Sequence, residues 1–257
     1  MSNQAKISNW KQIKVRFGNF SPLNWYHFAL LFITFGSVAF CIAGVIHTAV
    51  GLNNAIYIWF TNYDTFTYQS NSIITFFVWF SFFKPNHQVF KNHTFLMWCM
   101  SYIFVTCTFF NTYEILTNVG VFDKSVPTPG NDWEALNSSS AYLAFFSSLW
   151  NHVINPITFL IYGVISIKLI KKERIFNSYK FVMFGSLYPF MYMIYLIYIP
   201  WSGFLDNGEN SYSVYGYFTQ TKYNSYTWLW FPILFLVFPV FQAFLVKWHN
   251  KAYPRPA

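Results

Sequence analysis

Six long apolar stretches constrain the fold of this chain more than any other feature of its sequence. They cover residues 25–50, 66–83, 94–119, 141–169, 179–199 and 226–246. Each stretch is near the length of about 20 residues that an α-helix needs to cross a bilayer. Lipid offers the backbone no hydrogen-bond partners, so these stretches are expected to be helical. The sequence therefore predicts an all-α fold, a polytopic transmembrane bundle of six helices.

The distribution of charge predicts how this bundle is oriented. Only 9% of the residues are charged, against about 25% in a soluble domain. If the N-terminus faces the cytoplasm, the inner segments hold fourteen of the 16 lysines and arginines, a strong positive-inside bias. We therefore expect a cell-membrane protein with both termini cytoplasmic: a basic arm over 1–24, the transmembrane domain over 25–246 and a basic tail over 247–257. The net charge of +8 indicates attraction to membrane lipids with anionic headgroups, and we expect no nucleic-acid partner.

The cysteines and histidines give no sign of a metal site or a cofactor. All three cysteines lie in apolar stretches, so we expect neither a disulfide framework nor a metal cluster. Haem would need pairs of histidines on facing helices at one depth, and the spacing does not indicate such pairs. An interfacial position near a helix end accounts for four of the six histidines, which are His27, His47, His93 and His249. We predict no metal and no cofactor.

A polar stripe interrupts the fourth apolar stretch. Its members lie at positions i, i+3, i+4 and i+7, on one face of a regular helix. They are Ser148, Asn151, His152 and Asn155. Pro156 lacks an N–H, so the carbonyl of His152 loses its helical partner and becomes a free acceptor. An ionisable side chain at membrane depth indicates a functional site, and the alternative is a neutral histidine that serves only helix packing.

Polar residues of two other stretches fall at a comparable depth. In the predicted orientation, the second stretch enters from the outside with Thr67, Ser70 and Asn71. The third stretch ends toward the outside with Asn111 and Glu114. Because lipid drives scarce polar side chains together, we expect these groups to line one cavity with the fourth stretch, open to the outer leaflet. Glu114 either assists the histidine or serves as a boundary carboxylate.

These side chains are the components of an acyl-transfer site. Thr67 or Ser70 would attack an ester carbonyl after giving its proton to His152. The amides that could polarise the carbonyl oxygen are those of Asn71, Asn111 and Asn151. Two non-enzymatic alternatives stay open at this point: transport of a lipid or small solute, and a structural or assembly role in which the polar residues only join helices. The oligomeric state is not indicated.

Several short motifs resemble those of a known family. The stretch Phe66–Asn71 resembles the FT-x-x-SN segment of bacterial six-span proteins related to the androgen-induced (ADTRP-like) family. His152 followed by Pro156 is similar to that family's histidine and nearby proline. Tyr188-Pro189 and Phe204-Leu205-Asp206 resemble a tyrosine-proline span and an FLD loop of the bacterial members. Among these, the chain most resembles mycoplasma-type membrane proteins of unknown function.

The resemblance implies an activity and two catalytic residues. Animal members of the family are intramembrane hydrolases of fatty-acid esters of hydroxy fatty acids, and they use a threonine nucleophile and a histidine. Carried over by position, these roles fall on Thr67 and His152, with a fatty-acyl ester as substrate. Two features depart from the animal pattern: polar Ser70-Asn71 follows the threonine, and the loop around 127–131 has no counterpart.

Overall fold

Six helices make up most of the described part of the molecule. A computed structural model describes residues 21–52, 63–118 and 145–253 of the 257-residue chain. The helices are α1 (Pro22–Leu52), α2 (Phe66–Phe83), α3 (Thr94–Asn118), α4 (Phe145–Leu169), α5 (Ser178–Tyr198) and α6 (Thr227–Ala252). Short 3-10 turns precede α3, follow α5 and precede α6, at Gln88–Phe90, Ile199–Trp201 and Gly216–Thr219. No strand forms within these ranges, so the predicted all-α class is confirmed for them.

Five of these helices are long and apolar enough to cross a membrane, which identifies an integral membrane protein. They are α1, α3, α4, α5 and α6, counted over the described ranges. Helix α2 has only 18 residues, and its first turns hold Thr67, Gln69, Ser70, Asn71 and Ser72. This polar start lowers its hydropathy below that of the other five. Six spans and cytoplasmic termini therefore stay predictions.

Helix α3 lies at the centre of the bundle. It packs against α2, α4 and α6, while α1 packs against α2 and α4, and α5 packs against α6. One buried cluster, around Ile74, Met97 and Phe159, joins α1, α2, α3 and α4 and also includes residues of α5 and α6. A second cluster joins the start of α2 to α5 and α6 around Phe66 and Tyr192. The start of α2 therefore lies between the two halves of the bundle.

The start of α2 is set by a local cap. The Thr65 hydroxyl accepts a hydrogen bond from the backbone N–H of Tyr68 at 3.4 Å, and the Thr65 carbonyl accepts one from the N–H of Gln69 at 3.2 Å. Threonine is a favoured residue at this position because its oxygen satisfies an N–H that has no partner within the helix. Helix α2 therefore starts at Phe66 and places Thr67 in its first turn.

Three histidines near the predicted inner ends are packed inside the bundle rather than exposed at an interface. His93 is 3% exposed and His249 is fully buried, and His93 Nδ1 lies 3.1 Å from His249 Nε2. Partly buried His27 lies 3.1 Å from the hydroxyl of Tyr162. Contacts within the bundle therefore explain the positions of these three histidines, and the predicted interfacial placement does not. The side chain of His47 lies outside the described part.

Candidate active site

Thr67 and His152, predicted from separate stretches of the sequence, are in direct contact. Thr67 Oγ1 lies 3.0 Å from His152 Nε2, within hydrogen-bonding distance. Thr67 is in the first turn of α2 and His152 in α4, 85 residues further along the chain. Both side chains are partly buried. This is the nucleophile-to-base geometry that a hydroxyl-dependent acyl transfer requires.

The second ring nitrogen of His152 determines which tautomer is present. Nδ1 lies 3.0 Å from the backbone carbonyl oxygen of Ser148 and 3.3 Å from the Ser148 hydroxyl. A carbonyl oxygen only accepts, so Nδ1 carries the hydrogen. Nε2 is then unprotonated and accepts the hydroxyl hydrogen of Thr67. The ring of Phe110 stacks on the imidazole, with centroids 3.4 Å apart and planes 6° from parallel, so the orientation of the base is fixed from two sides.

A π-helical turn carries the histidine. Residues Trp150–Ile154 are π-helical, and the N–H of Asn155 donates to the Trp150 carbonyl five residues earlier. Pro156 follows and has no N–H, so the carbonyl of His152 lacks the i+4 partner of a regular α-helix, as the sequence predicts. Asn111 Nδ2 of α3 donates to this carbonyl at 3.2 Å. Periodicity alone predicts a regular helix here, and the π-turn is a feature that the pattern does not reveal.

The predicted supporting amides lie around the pair but donate to other groups. Asn71 Nδ2 donates to the carbonyls of Thr67, at 2.8 Å, and Asn151, at 3.1 Å. Asn151 Nδ2 donates to the Ser147 carbonyl at 2.9 Å. Asn111 Nδ2 is held by the carbonyls of Cys107 and His152. These amides position the three helices α2, α3 and α4, and polarising a bound ester would require them to exchange one of these bonds.

Ser70, predicted as the alternative nucleophile, contacts α3 and the Thr67 carbonyl instead of the histidine. It is fully buried, its hydroxyl lies 2.7 Å from Thr106 Oγ1 and it donates to the Thr67 carbonyl at 3.1 Å. Ser70 therefore packs α2 against α3. Asn155, fully buried in α4, donates to Ser37 Oγ and Asn71 Oδ1, each at 2.7 Å. The side chain of Glu114 lies outside the described part.

An open groove of about 600 Å³ lies on another side of α2. It is lined by Tyr63, Gln69, Ser72, Ile73, Phe76, Phe95, Tyr102 and Tyr188. Gln69 is two residues from Thr67, a rotation of about 200° on an α-helix. None of the predicted polar residues lines this groove. The groove is therefore not the common cavity that the sequence predicts for them. Within the described ranges, no cluster of three or more His, Cys, Asp or Glu residues could hold a metal ion.

The sequence interpretation missed Asp64, which precedes α2. Its side chain is 1% exposed, and Oδ2 accepts hydrogen bonds from the hydroxyls of Tyr212, at 2.7 Å, and Tyr195, at 3.2 Å. Burial raises the pKa of this carboxyl to about 7, and the two tyrosine hydrogen bonds oppose that shift. One signal was available: Tyr188, Tyr192 and Tyr195 lie at i, i+4 and i+7, a hydroxyl stripe on one face of α5.

Comparison with known proteins shows similarity to mycoplasma proteins. The model of the family described as "Protein of unknown function (DUF1600)" matches residues 145–253. "Uncharacterized protein MG133" of Mycoplasma genitalium is 38% identical in an alignment of 223 residues that covers 76% of this chain and 80% of the relative. "Uncharacterized protein MG452" of the same organism is 30% identical over 242 residues, 93% of this chain and 82% of the relative.

A third relative and two negative results complete the comparison. "Uncharacterized protein MG452 homolog" of Mycoplasma pneumoniae is 28% identical over 202 residues, 74% of each chain. No solved structure matches the chain significantly. No model of the androgen-induced family matches it, so that resemblance stays a prediction. His152 lies inside the DUF1600 match and Thr67 outside it.

Proposed function

The chain belongs to the family of the mycoplasma proteins MG133 and MG452, and we propose that it is an intramembrane hydrolase of fatty-acyl esters. The observation that carries this proposal is the 3.0 Å contact between Thr67 Oγ1 and His152 Nε2. The Nδ1–H bond to the Ser148 carbonyl supports it, because it leaves Nε2 free to act as a base.

The proposed reaction has two steps. Thr67 Oγ attacks the ester carbonyl carbon while its proton passes to His152 Nε2. The tetrahedral intermediate then collapses: the ester C–O bond breaks, and the leaving alkoxide takes the proton from His152 as the alcohol departs. A water molecule next gives its proton to His152 and attacks the acyl-threonine carbonyl. Collapse of this second intermediate releases the fatty acid and returns the proton to Thr67.

The position of Thr67 in α2 supports stabilisation of the developing charge. Both tetrahedral intermediates carry a negative oxygen next to Thr67, which is in the first turn of an 18-residue helix. The N-terminus of a helix carries a partial positive charge of roughly half a unit, and this field favours an anion nearby. The amides of Asn71 and Asn111 already donate to backbone carbonyls and would have to break those bonds to stabilise the negative oxygen. The field of the helix N-terminus stabilises it without any such rearrangement.

The surroundings of the pair favour an apolar substrate. Phe110 covers one face of His152, and α4 is an apolar helix long enough to cross a membrane. An ester that reaches Thr67 therefore arrives from lipid, and a fatty-acyl chain is the acyl group found there. The resemblance of Phe66–Asn71 and of His152 with Pro156 to an esterase family points to the same substrate class.

A covalent probe tests the proposal directly. Purified protein in nanodiscs is treated with a fluorophosphonate, and the labelled peptide is mapped by mass spectrometry. We expect the label on Thr67, loss of labelling in Thr67→Ala, and a reduction of about 10²-fold or more in His152→Ala, since general-base catalysis contributes about that factor. Ser70→Ala is the matched control and should label like the wild type. Label that persists in Thr67→Ala would remove Thr67 from the mechanism.

One observation favours a structural role as the second candidate. The side chains of Ser37, Asn71 and Asn155 form a buried hydrogen-bonded triangle between α1, α2 and α4. Such polar contacts join membrane helices without any chemistry. If the wild-type protein takes no label and hydrolyses no fatty-acyl ester, while Thr67→Val and His152→Phe fold normally, the structural role replaces the hydrolase.

A further inference from the structure

Four tyrosines hold the segment that leads into α2. We name Tyr192, Tyr195, Tyr212 and Tyr215 the tyrosine clamp; the first two belong to α5 and the others to the α5–α6 loop. The Tyr212 and Tyr195 hydroxyls donate to Asp64 Oδ2, and the Tyr192 hydroxyl donates to the Asp64 backbone carbonyl at 2.8 Å. The clamp therefore attaches the end of α5 and the loop after it to the residues just before Thr67.

The clamp also reaches the first turn of α2. The backbone N–H of Phe66 donates to the Tyr215 hydroxyl at 2.7 Å, and the Tyr192 hydroxyl lies 3.3 Å from that of Tyr215. Phe66 is the residue before Thr67, and its ring is packed against that of Tyr192 with centroids 5.2 Å apart. Movement of the clamp would therefore shift the backbone that carries the proposed nucleophile.

The carboxyl at the centre of the clamp is poorly suited to carry a charge. Asp64 Oδ1 is buried and has no hydrogen-bond partner. The titratable groups that act on Asp64 or are acted on by it are the four clamp tyrosines, and within the described ranges none of the groups that shift the pKa of Asp64 is a cation. Burial also raises the pKa of Tyr215 to about 12, so its hydroxyl keeps its hydrogen near neutral pH.

The α5–α6 loop contains one basic residue, Lys222, and it is already paired with a carboxylate. Lys222 pairs with Asp206, and this pair also contacts Tyr223. A deprotonated Asp64 would therefore be a buried anion with two hydroxyl donors on one oxygen and none on the other. Opening the clamp to water relieves that cost, whereas a protonated carboxyl carries no charge to desolvate.

We propose that Asp64 is a proton-controlled positioning residue: its protonated form keeps the tyrosine clamp closed and Thr67 on His152, and its deprotonation loosens the clamp and withdraws Thr67. The part concerning Thr67 chemistry rests on the proposed hydrolase function. The part concerning the clamp stands on the contacts of Asp64 alone. The ligand of this site is a proton, and the element that moves is the start of α2 together with the loop that holds Tyr212 and Tyr215.

Hydrogen exchange tests the clamp without reference to catalysis. The full-length protein in nanodiscs is measured between pH 5 and pH 9, and exchange at the Phe66 amide is corrected for its intrinsic pH dependence. Because the carboxyl has a pKa of about 7 in the clamp and an ordinary one when solvated, protection should fall about tenfold per pH unit up to pH 7 and then level off. Asp64→Asn should show no such fall.

A matched control separates Asp64 from other carboxylates of this surface. Asp206→Asn removes an exposed carboxylate of the α5–α6 loop that contacts Lys222 and not the clamp. It should keep the wild-type pH dependence. If Asp64→Asn fails to fold, Tyr212→Phe provides a second route: it removes one donor from Oδ2 and should lower protection at every pH. Protection that is level with pH in the wild type, or that falls equally in Asp64→Asn, would overturn the proposal.

Probe labelling then connects the clamp to Thr67. In the wild type, fluorophosphonate labelling should fall above about pH 7 as the clamp loosens, and Asp64→Asn should lack this alkaline fall. If the protein takes no label at any pH but exchange at Phe66 follows the expected pattern, the hydrolase fails and the clamp stands. If Thr67 is labelled but exchange at Phe66 does not depend on pH as expected, the clamp is rejected and the hydrolase proposal stands.

Discussion

At the scale of single residues, buried polar groups decide how these helices meet. Asn71, Asn155 and Ser37 each come from a different helix and hydrogen-bond to one another away from solvent. A buried polar group without a partner costs free energy comparable to a lost hydrogen bond, and the cost is felt in lipid as in a protein core. The polar residues of the apolar stretches therefore act first as contacts between helices, and the Thr67–His152 pair is built on that framework.

Removing one corner of this triangle should be costly. Asn155→Ala deletes the donor that serves both Ser37 Oγ and Asn71 Oδ1. We expect the free energy of unfolding in detergent to fall by about 1–3 kcal/mol. Asn86→Ala, an exposed asparagine of the α2–α3 connection, is the control and should stay within about 0.5 kcal/mol of the wild type. Equal stability of the two variants would contradict the importance of the triangle.

The carboxyl of Asp64 predicts an unusual dependence of stability on pH. Its folded-state pKa of about 7 lies above the ordinary value of 3.8. Its contribution to stability is therefore complete below about pH 4 and is lost as pH rises through 7. The loss amounts to at most about 4 kcal/mol, since one pKa unit is worth about 1.4 kcal/mol. Melting temperatures between pH 4.5 and 8 measure it: they should fall in the wild type more steeply than in Asp64→Asn, and parallel curves would refute the assignment.

At the scale of elements, the π-turn of α4 is what brings the imidazole to Thr67. A π-turn holds an extra residue within a helix, so it rotates the side chains before it relative to those after it. Pro156 favours this turn because it cannot supply the N–H that a regular helix would offer to the His152 carbonyl. The Asn111 side chain donates a hydrogen bond to that carbonyl and so attaches α3 to the π-turn.

Replacing the proline should move the histidine while leaving the bundle intact. Pro156→Ala supplies an N–H to the His152 carbonyl and favours a regular helix in place of the π-turn at Trp150–Ile154. We expect labelling of Thr67 to fall by about tenfold to a hundredfold, the effect of a displacement near 1 Å, with little change in melting temperature. Pro189→Ala, a buried proline inside α5, is the control. If Pro189→Ala reduces labelling as much as Pro156→Ala does, the effect is not specific to α4.

At the scale of the whole molecule, the bundle presents apolar side chains outward and keeps its polar groups inside. Large exposed residues such as Phe32, Ile161, Met191 and Leu236 cover the outer faces of the helices. The basic residues concentrate in the connections α2–α3 and α4–α5 and at the end of α6, where they face the cytoplasm in the predicted orientation. Helix α2 is the element on which the number of spans depends, because it is the short and polar one of the six.

Cysteine accessibility in whole cells tests the six-span topology. In a background without native cysteines, Ser2→Cys, Asn86→Cys and a cysteine at position 257 should be protected from a membrane-impermeant maleimide. Glu209→Cys, in the α5–α6 loop, should react. If α2 does not cross the membrane, Ser2→Cys and Asn86→Cys will lie on opposite sides, and only one of them will be protected. Permeabilised cells, in which all four positions should react, provide the control.

The sequence by itself determined the helices and their polar positions. Bilayer thickness and the need to satisfy the backbone in lipid require long apolar stretches to be helical. The bounds of α2 therefore match the prediction, whereas α6 continues six residues beyond its predicted end at 246. Thr67 and His152 were identifiable because polar side chains are scarce in such stretches. The free carbonyl of His152 followed from Pro156 alone, because a missing N–H is a local property.

Only the tertiary structure decided which of these groups meet. The separation of Ser70 from His152, the groove on the far side of α2 and the π-turn depend on the rotation of each helix about its axis, which packing sets. Asp64 gave no periodic signal, because it lies in a connection and its burial comes from tyrosines more than 120 residues away. Contacts between distant segments are formed by the fold as a whole, and no local pattern of residues encodes them.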